Sequence, residues 1–208
     1  MGKTIRTWAL AALLWAPLAQ AADSAAAVDL SKPEAVVEAM SQHAQTRDWK
    51  GVAALFDPAA LKDFRGLLAP LVELAAKEAP EAGAGPDPRL ALLFAGMDAK
   101  QLTGASDADF FAAYMGGMVN MAQADVGKTE ILGSVAEGED RRHVVVRSTA
   151  SAMGISITKM QVVSLRHRAE GWRIELSGDI RGMAEAMNRQ LGGEGGEPKP
   201  DPAAVEKD

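Results

Sequence analysis

The sequence predicts an α+β domain: N-terminal helices pack on a bent, four-stranded antiparallel meander, which a short C-terminal helix follows. Before residue 128, apolar residues recur about every 3.6 positions, as on one face of an amphipathic helix. From Lys128 to Ser177 the period changes to two, the period of a strand with one buried face. Short connections rich in turn residues, such as Glu137-Gly138-Glu139-Asp140, join the predicted strands and make neighbouring strands antiparallel.

The first 21 residues have the composition of a secretory signal peptide. Lys3 and Arg6 give a positively charged start, and an apolar stretch of 11 residues runs from Trp8 to Leu18. Ala19-Gln20-Ala21 then supplies the small residues at which signal peptidase cleaves. A membrane anchor needs about 20 apolar residues, so this stretch is too short to be one. We expect a periplasmic or secreted protein, cleaved near Ala21 and without a membrane anchor.

Composition divides the remaining chain into three parts. Residues 22–30 are predicted to form a flexible lead-in, and residues 31–191 have the periodic apolar pattern of a single domain. Residues 192–208 are mainly glycine, proline and charged residues. Such a tail buries too little apolar surface to fold, so we predict that it is disordered.

Charge and cysteine usage exclude several classes of function. Without the leader, which holds two of the 22 basic residues, 20 basic and 28 acidic residues leave a net charge of −8. Nucleic acids require concentrated Lys and Arg, so a nucleic-acid partner is not expected. The chain has no cysteine, which excludes thiolate catalysis and Cys-ligated metals. No metal or cofactor is predicted.

Capping residues mark the starts of the first three helices. Ser31-Lys32-Pro33-Glu34 has the form of a capping box, in which the Ser and Glu side chains bind each other's backbone N–H groups. Asp48 is predicted to cap a short second helix. Asp57-Pro58 places proline in the first turn of a third helix. Pro70 lies inside that helix and is expected to kink or split it.

Another short helix is predicted over Leu90–Met97, after the loop-like segment 80–88. Ser106-Asp107-Ala108-Asp109 then resembles a second capping box, and the apolar face that follows it indicates a central core helix. Gly116 and Gly117 lie within that helix, where glycine is unfavourable. We expect a bulky group to approach the helix closely there.

The four predicted strands are Thr129–Ala136, Arg142–Ala150, Ile155–Arg168 and Trp172–Ser177. A two-residue turn at Glu170-Gly171 would pair Leu165 with Leu176, Arg166 with Glu175 and His167 with Ile174. Lys159 and Gln161 share the parity of the apolar residues, so both should point at the core. Either a β-bulge near Lys159 reverses the alternation, or both side chains face a polar cavity.

Helix and strand motifs together resemble the NTF2-like (SnoaL-like) cone superfamily. The resemblance lies in Asp48-Trp49-Lys50-Gly51-Val52, Leu55-Phe56-Asp57-Pro58, Val163-Ser164-Leu165-Arg166 and Glu170-Gly171-Trp172-Arg173-Ile174. It implies a bent sheet that wraps around helices and often encloses a pocket. Residues 58–120 depart from the usual pattern, because their sequence predicts helices where many members have strands. The superfamily mixes enzymes, binding modules and dimerisation domains, so no catalytic residue is transferred.

Three functions follow as hypotheses. The first is an exported, non-catalytic domain that binds a small apolar ligand or an envelope protein partner. The second is a cone-type acid–base enzyme, an isomerase or dehydratase, whose pocket is lined by Lys159, Gln161, Tyr114 and His167. The third is copper(I) binding by the thioethers of Met115, Met118 and Met121, which are spaced M-x-x-M-x-x-M.

A homodimer is also left open by the sequence. An apolar patch on the outer face of the sheet, with Val144, Val146 and Val162, would indicate such an interface.

Overall fold

The computed structural model of the chain describes residues 28–78, 87–152 and 154–191. It is an α+β domain, with helices packed on a four-stranded antiparallel sheet of order β1-β2-β3-β4 and a C-terminal helix, as predicted. The predicted signal peptide, the lead-in up to residue 27 and the tail 192–208 lie outside the described residues. The elements are α1 Pro33–Gln45, α2 Trp49–Ala54, α3 Pro58–Glu78, α4 Pro88–Leu93, α5 Ala99–Gly104, α6 Asp107–Met121, β1 Ala124–Glu137, β2 Arg141–Ala152, β3 Ile155–Arg168, β4 Gly171–Ile174 and α7 Gly178–Leu191.

The capping box predicted at the start of α1 is wrong. Lys32 is the N-cap and makes no side-chain cap. The Ser31 backbone and hydroxyl both donate to Asp29, and Glu34 instead accepts a hydrogen bond from Ser134 of β1. Both side chains of the expected box are thus engaged elsewhere, and proline in the first turn supplies the start of the helix.

The N-caps predicted at Asp48 and Ser106 are confirmed, but the second capping box is not completed, because the Asp109 carboxylate accepts from the Ser106 hydroxyl rather than from the Ser106 backbone N–H. Asp48 accepts from the Gly51 N–H, and Ser106 accepts from the Asp109 N–H. Helix α3 runs unbroken through Pro70, so the expected split does not occur. The Pro70 ring lies on the exposed side, while Leu68 and Leu71 beside it are 0 and 1 % exposed. Burial of the opposite side of the helix offsets the hydrogen bond that proline removes.

Strand β3 has the predicted bounds, whereas β1 and β2 are longer and β4 is shorter than expected. The predicted register of the last hairpin is wrong by two residues, because Leu165 pairs with Ile174 and His167 with Trp172. A shift of two keeps every side chain on its predicted face. Gly171 adopts a φ of 110°, and a Cβ there would lie 2.5 Å from the Leu30 carbonyl oxygen.

The core lies between the helices and one face of the sheet, here called the inner face. An aromatic cluster fills its helical side, where the Phe64 ring packs edge-on against Phe111 and Tyr114 at centroid distances of 5.1 and 5.0 Å. On the sheet side, Val144 and Val146 are fully buried. These two valines therefore do not form the outer patch considered from the sequence, and of the three valines only Val162 is exposed.

The sheet extends beyond the helices that cover it. Ile155 and Ile157 belong to the inner face by register, yet they are 63 and 61 % exposed. Neither expected explanation for Lys159 holds, because β3 pairs with β2 without a bulge and Lys159 is exposed, 2.9 Å from Asp179. The irregularities lie in β1 instead, at 126–129 and 131–133.

Across the part of the chain that the structure describes, no helix is both long and apolar enough to cross a bilayer.

Candidate functional site

The four pocket residues predicted from the sequence are not brought together. Tyr114 is fully buried in the aromatic cluster, where desolvation raises its pKa. Lys159 pairs with Asp179 at the exposed end of β3, and Gln161 donates to the Ser148 hydroxyl. His167 is exposed and packs edge-on against Trp172 at 5.1 Å. The four residues therefore do not form the common pocket that the acid–base hypothesis requires.

The three methionines of the M-x-x-M-x-x-M run have different environments. Met115 and Met118 are half-buried and pack against the core, which is the usual role of methionine on a helix face. Met121, in the last turn of α6, is 42 % exposed.

A cleft with a volume of about 950 Å³ lies between α2, the turn after α4, α5 and α6. Its floor is formed by apolar side chains of two helices, α2 and α6, and of the turn after α4. These floor residues are Trp49, Phe94, Met97, Ala112 and Ala113.

Small residues of α6 determine the width of the cleft. Gly116 lets the Trp49 indole approach closely, since a Cβ at Gly116 would lie 3.3 Å from its Cδ1 atom. A Cβ at Gly117 would overlap the carbonyl group of Leu93 at the end of α4. The bulky approach expected at these glycines is therefore made by Trp49 and by the α4 backbone. Ala112 and Ala113, one turn earlier, leave the volume between these contacts unfilled.

The α5 wall of the cleft is anchored by Arg65 of α3. Its guanidinium donates to the carbonyl oxygens of Leu102, Thr103 and Ala105 at 2.6–2.9 Å. These carbonyls lie at the end of a helix, where intrahelical partners are largely missing, and that of Leu102 also accepts the Ala105 N–H. The same guanidinium lies 5.1 Å from the Phe110 ring centroid, so α3, α5 and α6 are joined by one side chain.

Charged side chains surround the mouth of the cleft. Lys50 and Asp109 form an ion pair of 2.8 Å, which raises the pKa of Lys50 and lowers that of Asp109. The Gly51 N–H and His43 hold the pKa of Asp48 below its usual value. Arg47 donates to Asp125 and to the Ala124 carbonyl, which attaches the mouth to β1.

Lys100 is the other basic residue at the mouth, and it is exposed. Within residues 28–78, 87–152 and 154–191, it forms no ion pair.

A second, polar cleft of about 460 Å³ lies between β3, α3 and the start of α7. Glu175 accepts hydrogen bonds there from Arg141 and Arg166 at 2.9 Å each. Burial alone would raise the pKa of Glu175, but these two guanidinium groups outweigh it and the pKa is lowered. Asp57 similarly binds Arg168 at 2.6 Å. The basic groups of this cleft are thus bound to carboxylates of the same chain, and the arrangement supports the fold.

Sequence reasoning did not find the larger cleft. Its signals were the small residues of α6, namely Ala112-Ala113 and Gly116-Gly117, together with Trp49. The glycines indicated a close approach, but α5 was not predicted, so one wall was absent from the expected fold.

Comparison with known proteins gives no family. No protein-family model matches the chain, and no curated protein matches it. Among solved structures, a SEC-C motif-containing protein from Rhodopseudomonas palustris, known from its solution structure, is 13 % identical. The match covers 71 % of this chain and 77 % of that one with a TM-score of 0.38. A similarity this weak carries no argument about fold or function.

Proposed function

We propose that this protein is an exported, non-catalytic binding protein whose helical cleft takes a small apolar ligand. Export rests on the leader-like residues 1–21. Binding rests on one observation, the cleft of about 950 Å³ that is floored by Trp49, Phe94 and Met97.

The size and chemistry of the cleft suit such a ligand. Small-molecule sites are concave, mostly apolar and about 300–1,000 Å³ in volume, with a few polar groups that fix orientation. Phe94 is fully buried in the floor, whereas Trp49 is half-buried and offers an aromatic surface. Burial of apolar ligand surface contributes roughly 25 cal/mol per Å².

The mouth favours a ligand whose polar end is neutral or anionic. Lys50 and Asp109 neutralise each other at 2.8 Å, whereas Lys100 brings a positive charge that no carboxylate among the described residues offsets. A ligand carboxylate at the mouth would pair with Lys100 at little cost, because it stays near water.

Native mass spectrometry tests the proposal. The protein, purified from its own envelope as the mature chain, is measured before and after organic extraction. We expect a bound small molecule that extraction removes. The purified protein is then titrated with N-phenyl-1-naphthylamine, a neutral apolar probe, and the probe fluorescence is measured.

Two matched variants locate the binding site. Ala113→Phe fills the cleft and should weaken probe binding at least ten-fold. Ala76→Phe makes the same change at an exposed position of α3, outside the cleft, and should leave binding unchanged. Equal probe binding by the wild type and the folded Ala113→Phe variant would refute the cleft as the site.

A further inference from the structure

The first part of β3 is an exposed sheet edge. β4 pairs only with residues 165–168, and the Glu175 N–H adds one bond to the Ser164 carbonyl. Residues 155–163 are paired with β2 on one side and with no strand among the described residues on the other. Large apolar side chains lie along this edge at 51–63 % exposure, namely Ile155, Ile157, Met160 and Val162.

The orientation of the free backbone groups follows from two hydrogen bonds. The His167 N–H points to β2, where it donates to Asp140, so odd-numbered residues of β3 bond towards β2. The Ser164 carbonyl points away from β2, towards Glu175, so even-numbered residues bond outwards. The edge therefore presents the N–H and C=O groups of Ser156, Thr158, Met160 and Val162.

We propose that a second copy of this chain pairs with this edge, β3 against β3, in antiparallel orientation about a two-fold axis at Thr158. The two four-stranded sheets then form one continuous sheet. Long, exposed apolar edges are ready templates for strand pairing, and a two-fold contact uses the same surface on both copies.

Chain direction and sterics restrict the register. In an antiparallel pair, two directly opposite residues point to the same face of the sheet, so in a β3–β3 pair their numbers are both even or both odd. The two-fold axis therefore passes through a residue rather than between two residues. An axis at Met160 would place Ile155 of one copy where Ile174 already pairs with Leu165 of the other. That register is blocked by β4.

Charge excludes the next register. An axis at Lys159 would set the two Lys159 side chains directly opposite each other, which is destabilising. With the axis at Thr158, each Lys159 lies opposite Ile157 of the other copy, and its aliphatic stem can cover that side chain. About six backbone hydrogen bonds then join the copies, through Thr158 with itself and Ser156 with Met160.

Charge also favours a second copy over an acidic partner strand. Lys159 is the charged residue of this edge, and Asp179 of the same chain already lies 2.9 Å from its ammonium. That ion pair is exposed and screens the Lys159 charge only in part. One lysine among four exposed apolar side chains suits an apolar strand like itself better than an acidic one. Lys159 therefore selects the register of self-pairing, and away from the axis it does not prevent it.

Sedimentation equilibrium of the mature chain tests the proposal. We expect a reversible dimer in the micromolar range. Thr158→Pro removes the outward N–H at the axis, leaves the β2 ladder intact and should give a monomer. Thr158→Val keeps that N–H and the β-branched shape, and should remain a dimer.

A charge reversal tests the register. Ile157→Glu places a carboxylate opposite Lys159 of the other copy, whereas Ile157→Lys places a like charge there, and symmetry doubles each effect. We expect the Glu variant to dimerise roughly ten-fold more tightly than the Lys variant. The same pair of changes at Ile155, which lies opposite Gln161, should differ by less than about two-fold.

Crosslinking gives a readout that does not depend on affinity. The chain has no native cysteine, so Thr158→Cys creates a single thiol pair, about 5.5 Å apart between Cα atoms, that oxidised glutathione should link. Met160→Cys places the two thiols several residues apart and should not crosslink.

Three results would overturn the proposal: a monomeric wild type, a dimer that survives Thr158→Pro, or crosslinking at residue 160 rather than 158. None of them bears on the cleft, which Ala113→Phe tests separately.

Discussion

Substitution of Gly117 by alanine should destabilise the protein, although alanine is the better helix former. In a helix interior, Gly→Ala is worth about 1 kcal/mol in favour of folding. At Gly117, however, the new Cβ would overlap the Leu93 carbonyl and lie 2.9 Å from that of Leu92. Both obstacles are backbone, so α4 and α6 must move apart. Overpacking costs about 1–3 kcal/mol, and overlap with a backbone carbonyl places the cost here in the upper part of that range, at about 2–3 kcal/mol.

The expected balance for Gly117→Ala is therefore a loss of about 1–2 kcal/mol in the free energy of unfolding. For a chain of this size, such a loss lowers Tm by about 2–8 °C. Urea unfolding followed by circular dichroism measures the change directly. Gly66→Ala is the matched control, since Gly66 lies inside α3 with nothing within 4 Å of its Cβ position, and it should gain about 0.5–1 kcal/mol.

A Gly117→Ala variant as stable as the wild type would refute the close packing of α4 on α6. The wall of the cleft would then be misplaced too, because Leu93 is followed by Phe94 of its floor.

Three further predictions concern polar groups of the core. Asp57→Ala removes both the hydrogen bond from the Ala59 N–H and the ion pair with Arg168, so the free energy of unfolding should fall by about 2–3 kcal/mol. The control, Asp63→Ala, changes an exposed residue and should lower it by less than about 0.5 kcal/mol. Urea titration measures both changes. Because the pKa of Glu175 is lowered in the folded protein, its carboxylate stabilises the fold above the ordinary glutamate pKa, and this stability is lost as the pH falls through the folded pKa. Glu175→Gln should therefore make stability depend less on pH below about pH 4.5. The same pH dependence in the variant and the wild type would contradict this. Burial raises the pKa of Tyr114, the single tyrosine, so the neutral ring stabilises the fold below about pH 10 and this stability is lost as the pH rises through the folded pKa. Absorbance at about 295 nm should show that Tyr114 ionises only as the protein unfolds. Ionisation of the folded protein near pH 10 would contradict its burial.

Most of the fold could be predicted because local signals agree with it. The change of period near Lys128 separates helices from strands, and Asp48 and Ser106 begin helices where their side chains cap them. At Ser31 the same motif failed, because Asp29 engages the hydroxyl and β1 engages Glu34. Such competition depends on tertiary contacts, which a local motif does not contain.

The cleft could not be predicted for a related reason. Helix α5 has six residues and owes its start to the capping box of Asp98 and Gln101 and its end to Arg65, some 40 residues earlier. Short helices are marginal by themselves and form where packing supports them. The hairpin register failed by two residues because both registers separate polar from apolar faces, and the Leu30 carbonyl against Gly171 decides between them.

The parity of Lys159 and Gln161 is inconsistent with a strand whose inner face is covered, and the explanation of this inconsistency supports the proposed dimer. Both side chains point to the inner face, as predicted, but the sheet extends there beyond the helices that cover it. A β3 of 14 residues is about 46 Å long, whereas α1 of 13 residues is about 20 Å long. Places where local pattern and fold disagree are often functional. In the two-fold arrangement these polar residues lie opposite Ile157 and Ile155, so the mismatched half of the strand forms the interface rather than an uncovered core.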